Sequence, residues 1–590
     1  MKARVPVIVK DPGLSLYKDI GRTEDVLIEE EAFLDGPVSP RVAVLDFLPG
    51  SGGLAPGVPF RAPRDAAEEG AFEIAEPIEA DAPRVAADAA AVSVFGATHK
   101  TMRMFEEPDG LGRKVAWAFD APQLLVVPRA GEWANAYYER ETHSLQFFYF
   151  KGHRGPLVYT CLSQDIIAHE AAHALVDGVA PDLYSAITPQ SLAIHEAVAD
   201  IAALLCSLRC RELTERVLED TGGVISNSSV FSGLAGEFGR ALGTGSRYLR
   251  NLNNDKRLGG PARGGEPVDA SEPHDLSEVL SGAFYSVLLK THAELTRHYL
   301  LGTIPSTELI AELEEDQVQR RIEHARPAEP ARGEVAASAK ALFVAAERLK
   351  RTVLRGLDYL PPGDATFADF ARAVMAADEA SHPESSRQRR WLAEEFLRRG
   401  IVTSAAELDV ETNFAASAVA GLDLDALVTS DYVAYTFANE HRAFLGIPDS
   451  ITFEVQPRLD VTKLYWHRDG KREVRECLFK VSWTEVEDNP GGRGLPGRRR
   501  YLAGTTLAIE WSPERRVRAL LHSSRTAGHR ADTNRLIARL VDEDMLRVGD
   551  LALGATGQPM RGVINGDVLD GILKIRGAGR MLHVTQERGW

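Results

Sequence analysis

The run Asp165-Ile166-Ile167-Ala168-His169-Glu170-Ala171-Ala172-His173-Ala174-Leu175 narrows the choices more than any other stretch of the chain. It is rich in Ala, Ile and Leu and free of Gly and Pro, so it reads as a helix. On a helix, residues four apart lie one above the other. His169 and His173 can therefore offer imidazole nitrogens to one cation, while Glu170 on the same surface reaches a water held by it. This is the H-E-x-x-H pattern. A catalytic zinc needs a third protein ligand and an open position. Some twenty residues on, Ala193-Ile194-His195-Glu196-Ala197-Val198-Ala199-Asp200-Ile201-Ala202 reads as a second helix, apolar except for His195, Glu196 and Asp200. Two carboxylates on an otherwise buried helix are costly unless paired or bound to a cation. Glu196 as third ligand resolves one of them. Asp200, one turn later, can accept the free N–H of a ligating histidine and so fix its tautomer. The bland alternative, two surface histidines beside an unrelated glutamate, leaves this pair of carboxylates unexplained.

Length and composition set the frame around these helices. A chain of 590 residues exceeds what one core supports and implies three or four domains or subdomains. Its apolar and charged fractions, 44% and 26%, are those of an ordinary soluble globular protein. A net charge of −17 argues against a nucleic-acid partner, whose phosphates would have to be neutralised by Lys and Arg. No uninterrupted apolar run approaches the ~20 residues of a membrane span, so no membrane partner is expected. Val5-Pro6-Val7-Ile8-Val9 is too short an apolar patch for a secretory signal. The expectation is a cytoplasmic protein. Cys161, Cys206, Cys210 and Cys477 match neither a disulfide framework nor a zinc knuckle and read as buried thiols.

The pattern of elements divides the chain into four. Residues 1–64 form a β-rich leader with runs such as Val42 to Phe47. Residues 65–160 form a β/α lobe, with an acidic connector from Arg64, a helix from about Pro83 to Glu107, and strands at Val115–Phe119, Leu124–Val127, Asn135–Tyr138 and Ser144–Phe150. Residues 161–405 are mainly helical, with Gly- and Pro-bearing breaks at Gly259-Gly260-Pro261 and Arg326–Pro330. Residues 406–590 form an α+β domain, with a helix around Ser430–Leu445 and strands at Lys463–His467 and Arg472–Trp483 about an Asp469-Gly470 turn.

The stretch from His169 to Ala203 resembles the thermolysin-like metallopeptidases, the gluzincin branch of the H-E-x-x-H enzymes, whose third ligand comes from an E-x-x-x-D helix. The metzincin pattern would need Gly at 176 and His at 179, where this chain has Val176 and Val179. The Gly-x-Met-Glu-Asn element usual in the aminopeptidase gluzincins is not seen, which favours an endopeptidase. The resemblance covers about residues 85–402. It implies an α+β fold: a thermolysin-like catalytic unit of a mixed β/α lobe and a mainly helical lobe, here joined to the extra C-terminal α+β domain. It implies zinc as cofactor and a protein or peptide as substrate, with Glu170 activating the water that attacks the peptide bond. Carried over residue by residue, Asn135 and Ala136 on an edge strand hold the substrate backbone. Tyr184 and His274 stabilise the oxyanion, and Arg250, with Arg247 as the alternative, binds a substrate carbonyl. Asp165 matches a calcium-site acid, but Ser207 stands where another carboxylate would be expected, which leaves calcium in doubt.

Residues 406–590 lie outside the resemblance. Trp466, Trp483, Trp511 and the loop Arg493–Arg500 suit either a surface for a regulatory partner or, more simply, a core and a solvated basic hairpin. A role in selecting or restraining substrate is expected of this domain, since an unrestrained cytoplasmic endopeptidase would be harmful. Two rival readings remain: a silent peptidase-fold binding protein, which no missing ligand or proton-transfer residue supports, and an exopeptidase or toxin-like effector acting on one protein.

Overall fold

A computed structural model describes residues 1–590 except 50, 66, 79–84, 154, 156, 187, 260–265, 301–330, 384–386, 411–415, 468–469, 491–494, 525, 544, 550–563 and 577–590. The described residues are 43% helical and 23% strand. Helices and strands run in separate blocks rather than alternating, which places it in the α+β class.

The leader contributes a hairpin, β1 (Lys2–Ile8) and β2 (Thr23–Glu29), paired antiparallel from Lys2↔Glu29 to Ile8↔Thr23. Its inner residues Ala3, Val5 and Val7 are fully buried against helix α1 (Ala87–Glu106). Gly96 makes that approach feasible, because a Cβ there would meet Val7 Cγ2 at 2.5 Å and Val5 Cγ1 at 2.8 Å. Strands β3 (Val42–Val44), β4 (Leu124–Val127), β5 (Ala136–Glu139) and β6 (Ser144–Phe147) form one sheet in the order β3-β4-β6-β5. Only the β5–β6 pair is antiparallel, and β5 lies at the edge.

Val115–Phe119, expected as a strand from its apolar content, is not one. The Val115 N–H donates to Glu106 Oε1 at 2.8 Å, and its carbonyl accepts from the Arg41 guanidinium. Side chains thus meet the backbone demands that a neighbouring strand would have met. The helix expected from Pro83 begins at Ala87; Pro83 lies outside the described residues.

The site rests on two helices. α2 (Gln164–Val179) is buried along its length through Asp177, and the Asp165 N–H in its first turn donates to the Lys10 carbonyl at 3.2 Å. After the short α3 (Pro181–Ser185), α4 (Pro189–Leu208) starts with Thr188 accepting from the Ser191 N–H and with Pro189 in the first turn, the usual N-terminal chemistry. By length and composition α4 is apolar enough to cross a membrane, but here it is wholly buried within the protein. It packs along α2 on one side and along α5 (Pro273–Leu300) on another. Three further helices, α6 (Ala331–Tyr359), α7 (Phe367–Ser381) and α8 (Arg387–Arg398), complete this layer.

Beyond residue 406, β7 (Leu459–His467) and the long strands β8 (Gly470–Asp488) and β9 (Arg498–Glu510) anchor an eight-stranded sheet. β7 and β8 pair as a hairpin up to His467↔Gly470; Asp469 itself lies outside the described residues. The helix expected around Ser430–Leu445 is broken at His441 into Asp431–Glu440 and Arg442–Leu445. Trp483 is buried in a second apolar cluster of this region, and Trp511 lies beneath Arg475. The side chain of Trp466 and residues 493–494 of the basic loop lie outside the described residues, while Arg499 is buried against Glu487. The four cysteines are buried and unpaired.

Candidate metal centre and cleft

One turn of α2 separates His169 from His173, and the packing of α4 against α2 brings Glu196 to the same point. Nε2 of His169 and Nε2 of His173 are 3.0 Å apart. Glu196 Oε2 is 3.2 Å from the first, and Glu196 Oε1 is 3.5 Å from the second. A tetrahedral ion with bonds of about 2.0–2.1 Å sets its ligand atoms about 3.3 Å apart, the spacing seen across these three residues. All three are buried, and the group can hold a metal ion. Glu196 Oε2 also has no hydrogen-bond partner among the described residues in spite of its burial. An orphaned carboxylate oxygen beside two imidazole nitrogens fits a cation and little else.

The electrostatics point the same way. Burial opposes ionisation of Glu196, yet His274, His173 and His169 around it hold its pKa well below the usual carboxylate range. Burial and the Arg250 charge oppose protonation of His169, yet the Asp200 and Glu196 carboxylates beside it hold its pKa up at about 9. The site attracts positive charge.

Around the trio, the sequence-derived residues fall as follows. Asp200 Oδ1 lies 3.1 Å from His169 Nδ1, the contact expected from its place one turn after Glu196. Arg250 donates through Nε to Asp200 at 2.8 Å, and its Nη2 is 3.2 Å and 3.1 Å from the two His169 ring nitrogens. His274 Nε2 stands 3.5 Å from Glu196 Oε1, with its Nδ1 3.0 Å from Glu272. Glu170 accepts the Tyr138 N–H at 3.0 Å, and burial pushes its pKa up to about 7. Asn135, Ala136, His169, Glu170, Arg250 and His274 line one cleft with the apolar Ile166, Leu234, Phe238 and Leu249.

The edge strand is clamped where it meets the cleft. The Tyr138 hydroxyl and Arg140 Nε each donate to Asp177 of α2 at 2.8 Å. Asn135 Oδ1 takes the Ala136 N–H, while the Asn135 Nδ2, in a buried side chain, has no partner among the described residues. Tyr184 is not among the residues lining the cleft. Its ring lies against His195 and Tyr138 and beneath the Arg140 guanidinium.

Asp165, matched above to a calcium-site acid, is fully engaged. Lys10 Nζ lies 2.8 Å from each of its oxygens, Ser207 Oγ donates to it at 3.0 Å and the Ala235 N–H at 3.1 Å. A carboxylate already paired with an internal ammonium does not fit a calcium ion. A second acidic trio, Glu107, Asp109 and Glu347, is likewise paired, with Arg209, Lys350 and Arg351.

Among the residues of this neighbourhood that carried no assigned role in the sequence are Lys10, His195 and Glu272. Lys10 is 155 positions from Asp165, and nothing local signals the contact. Glu272 sits two residues before His274 in Glu272-Pro273-His274, so its proximity was readable although its role was not. His195, directly before Glu196, was visible as a polar interruption of an apolar helix, and its ring proves to lie against His173. No protein-family model matches the sequence and no curated protein is found similar to it, so the chemistry of this site is argued from its own geometry.

Proposed function

We propose that this protein is a zinc-dependent endopeptidase of the thermolysin-like kind, with His169, His173 and Glu196 as the metal ligands. The observation that carries the reading is the convergence of two Nε2 atoms and one carboxylate oxygen, all buried, at tetrahedral spacing, with Glu170 on the same helix facing the same cleft. Two imidazoles and one carboxylate are the protein donor set of a catalytic zinc, which takes water as its fourth ligand. Zinc, when bound, supplies a Lewis acid that polarises a carbonyl oxygen and acidifies water.

The rest of the chemistry belongs to the chain. Glu170 is the general base: it takes a proton from the attacking water and delivers it to the leaving amine nitrogen. Its carboxylate is held by the Tyr138 N–H, and its raised pKa near 7 suits both halves of that transfer. His274, with Glu272 behind it, is placed to donate from Nε2 to the oxygen of the attacked carbonyl. Arg250, braced by Asp200, can donate to a substrate carbonyl. The free Asn135 amide and the Ala136 backbone on edge strand β5 suit an extended peptide laid along the cleft. The lobes on either side of this cleft correspond, on this reading, to those of the thermolysin-like unit.

The test is metal analysis followed by cleavage of a peptide blocked at both ends. The purified protein should carry one zinc, and chelation should abolish cleavage. Glu170→Gln should keep the zinc and lose at least about a hundredfold in kcat, the scale of general-base removal. Turnover at the wild-type rate in Glu170→Gln refutes the assigned role, and cleavage of free-ended peptides alone redirects the reading to an exopeptidase.

A further inference from the structure

The two ligating histidines are supported differently. His169 Nδ1 faces the Asp200 carboxylate, whereas His173 Nδ1 faces another imidazole, with His195 Nδ1 at 2.7 Å. His195 is completely buried, its ring tilted against that of His173 with centroids 4.9 Å apart and backed by the Tyr184 ring at 5.8 Å. Its Nε2 has no hydrogen-bond partner among the described residues.

We infer that His195 is a positioning residue for the metal: neutral and protonated on Nε2, it accepts the His173 Nδ1–H and thereby aims His173 Nε2 at the ion. The inference rests on the zinc reading above. A metal on His173 Nε2 leaves the only ring proton on Nδ1, which must donate. The atom 2.7 Å away must therefore offer a lone pair, and that places the His195 proton on Nε2. With a metal on His173 Nε2, a doubly protonated His195 would set N–H against N–H at this contact. Since no polar group holds Nε2 from behind, the orientation of His195 comes from its packing, with the Tyr184 ring as one wall. Tyr184 thus bears on the metal through His195, without lining the cleft. The asymmetry also sets the charge of the site: one ligand histidine has an anionic acceptor and the other a neutral one, so the ion keeps more of its positive charge than two carboxylate acceptors would leave it.

The experiment measures zinc affinity by competition with a chromophoric chelator for full-length wild type and for His195→Phe, His195→Asn and His195→Gln, with circular dichroism of the zinc-free proteins as the check on folding. Phe keeps the ring and removes the acceptor. Asn Oδ1 takes the place of His Nδ1, and Gln carries the same amide one methylene too far. Loss of a partner behind a ligating histidine weakens metal binding about 10–100-fold, so Phe and Gln should fall by that much while Asn stays within about threefold of wild type. A folded His195→Phe with wild-type affinity overturns the inference. Should the Phe variant not fold, the Asn–Gln pair decides, and equal affinities for those two overturn it as well. Wild-type protein that takes up no zinc overturns the peptidase reading itself, and this inference with it.

Discussion

Replacing Lys10 by Met tests whether the leader is part of the catalytic scaffold. Lys10 and Asp165 form an ion pair with side chains 4% and 1% exposed, joining the end of β1 to the first turn of α2, one turn before His169. Removing one partner of a buried pair costs about 3–5 kcal/mol, because the other charge is left without compensation. Ser207 Oγ and the Ala235 N–H still donate to Asp165, and bonds to a charged group contribute about 1.5–3 kcal/mol each. The lower end, about 3 kcal/mol, is therefore expected, or a factor of about 150 in the opening equilibrium. The assay is hydrogen exchange, read on peptides spanning residues 163–175, where Lys10→Met should speed exchange by that factor at neutral pH. Burial raises the Asp165 pKa even in the wild type, with Lys10 opposing the rise. Without Lys10 the folded-state pKa climbs further. The penalty is thus complete above that pKa and fades as pH falls through it and the carboxyl neutralises. Lys10→Met/Asp165→Asn should recover most of the loss, since the amide oxygen still accepts from Ser207 and no charge is stranded. Wild-type exchange in the single variant, or no recovery in the double, refutes the reasoning.

Three other outcomes follow from the same geometry. Glu196→Ala should bind zinc far more weakly, and an unchanged metal stoichiometry in that variant rules out ligation. Burial opposes protonation of His274 while Glu196 and Glu272 raise its pKa, so its donating form persists to higher pH; the alkaline limb of kcat/KM falls as pH rises through that pKa. An ion bound at Glu196 takes up that carboxylate's charge, leaving Glu272 as the main support. Glu272→Gln should then move the limb about 1–2 pH units downward, the worth of a charge-assisted hydrogen bond, and an unmoved limb removes Glu272 from the mechanism. Lys463→Met, which leaves Asp358 to Arg113 alone and Glu476 to the Tyr359 and Tyr465 hydroxyls, should lower stability to denaturant by about 3 kcal/mol, the lower end for breaking a buried pair, and an unchanged midpoint contradicts the buried network.

The parts of the site that the sequence made legible are those fixed by the helical repeat. His169 and His173 meet because they are four apart, and Asp200 reaches His169 because it lies one turn beyond Glu196. Strand β5 was legible from its residues and its edge position was implied by the resemblance, though its clamp on α2 through Tyr138, Arg140 and Asp177 was not. Contacts set by tertiary packing left no local trace: Lys10 on Asp165, and Arg250 across both Asp200 and His169. His195 was legible as an anomaly without a role, because a residue adjacent to Glu196 points 100° away round the helix and its partner lies on α2. Val115–Phe119 misled because apolar residues favour strands only when a neighbour shares the ladder, and here Glu106 and Arg41 take that place.

The C-terminal sheet bears on the site through shared packing, and this changes how its expected role in substrate selection can be examined. Val461, Tyr465 and Leu478 of β7 and β8 belong to the same apolar cluster as α2, α4 and α6. Lys463 of β7 pairs with Asp358 of α6 at 2.7 Å, and Arg355 of α6 donates to the Leu464 carbonyl at 2.8 Å. A second joint reaches closer to the ligands. Gly363, at φ +108° and with room for no Cβ against the Leu502 carbonyl of β9, donates its N–H to Asp182 of α3 at 3.1 Å; two residues further along α3 is Tyr184, the wall of His195. Cutting the chain near Leu408 would strip apolar surface from α6 and leave buried charges half paired. Lost activity in such a truncation would report lost packing, whatever the domain does for substrates. Point changes on its exposed face, such as Tyr432 at 79% and Tyr435 at 51% exposure, leave the shared core in place. Only a shift in substrate range from changes of that kind can be ascribed to selection by the C-terminal region.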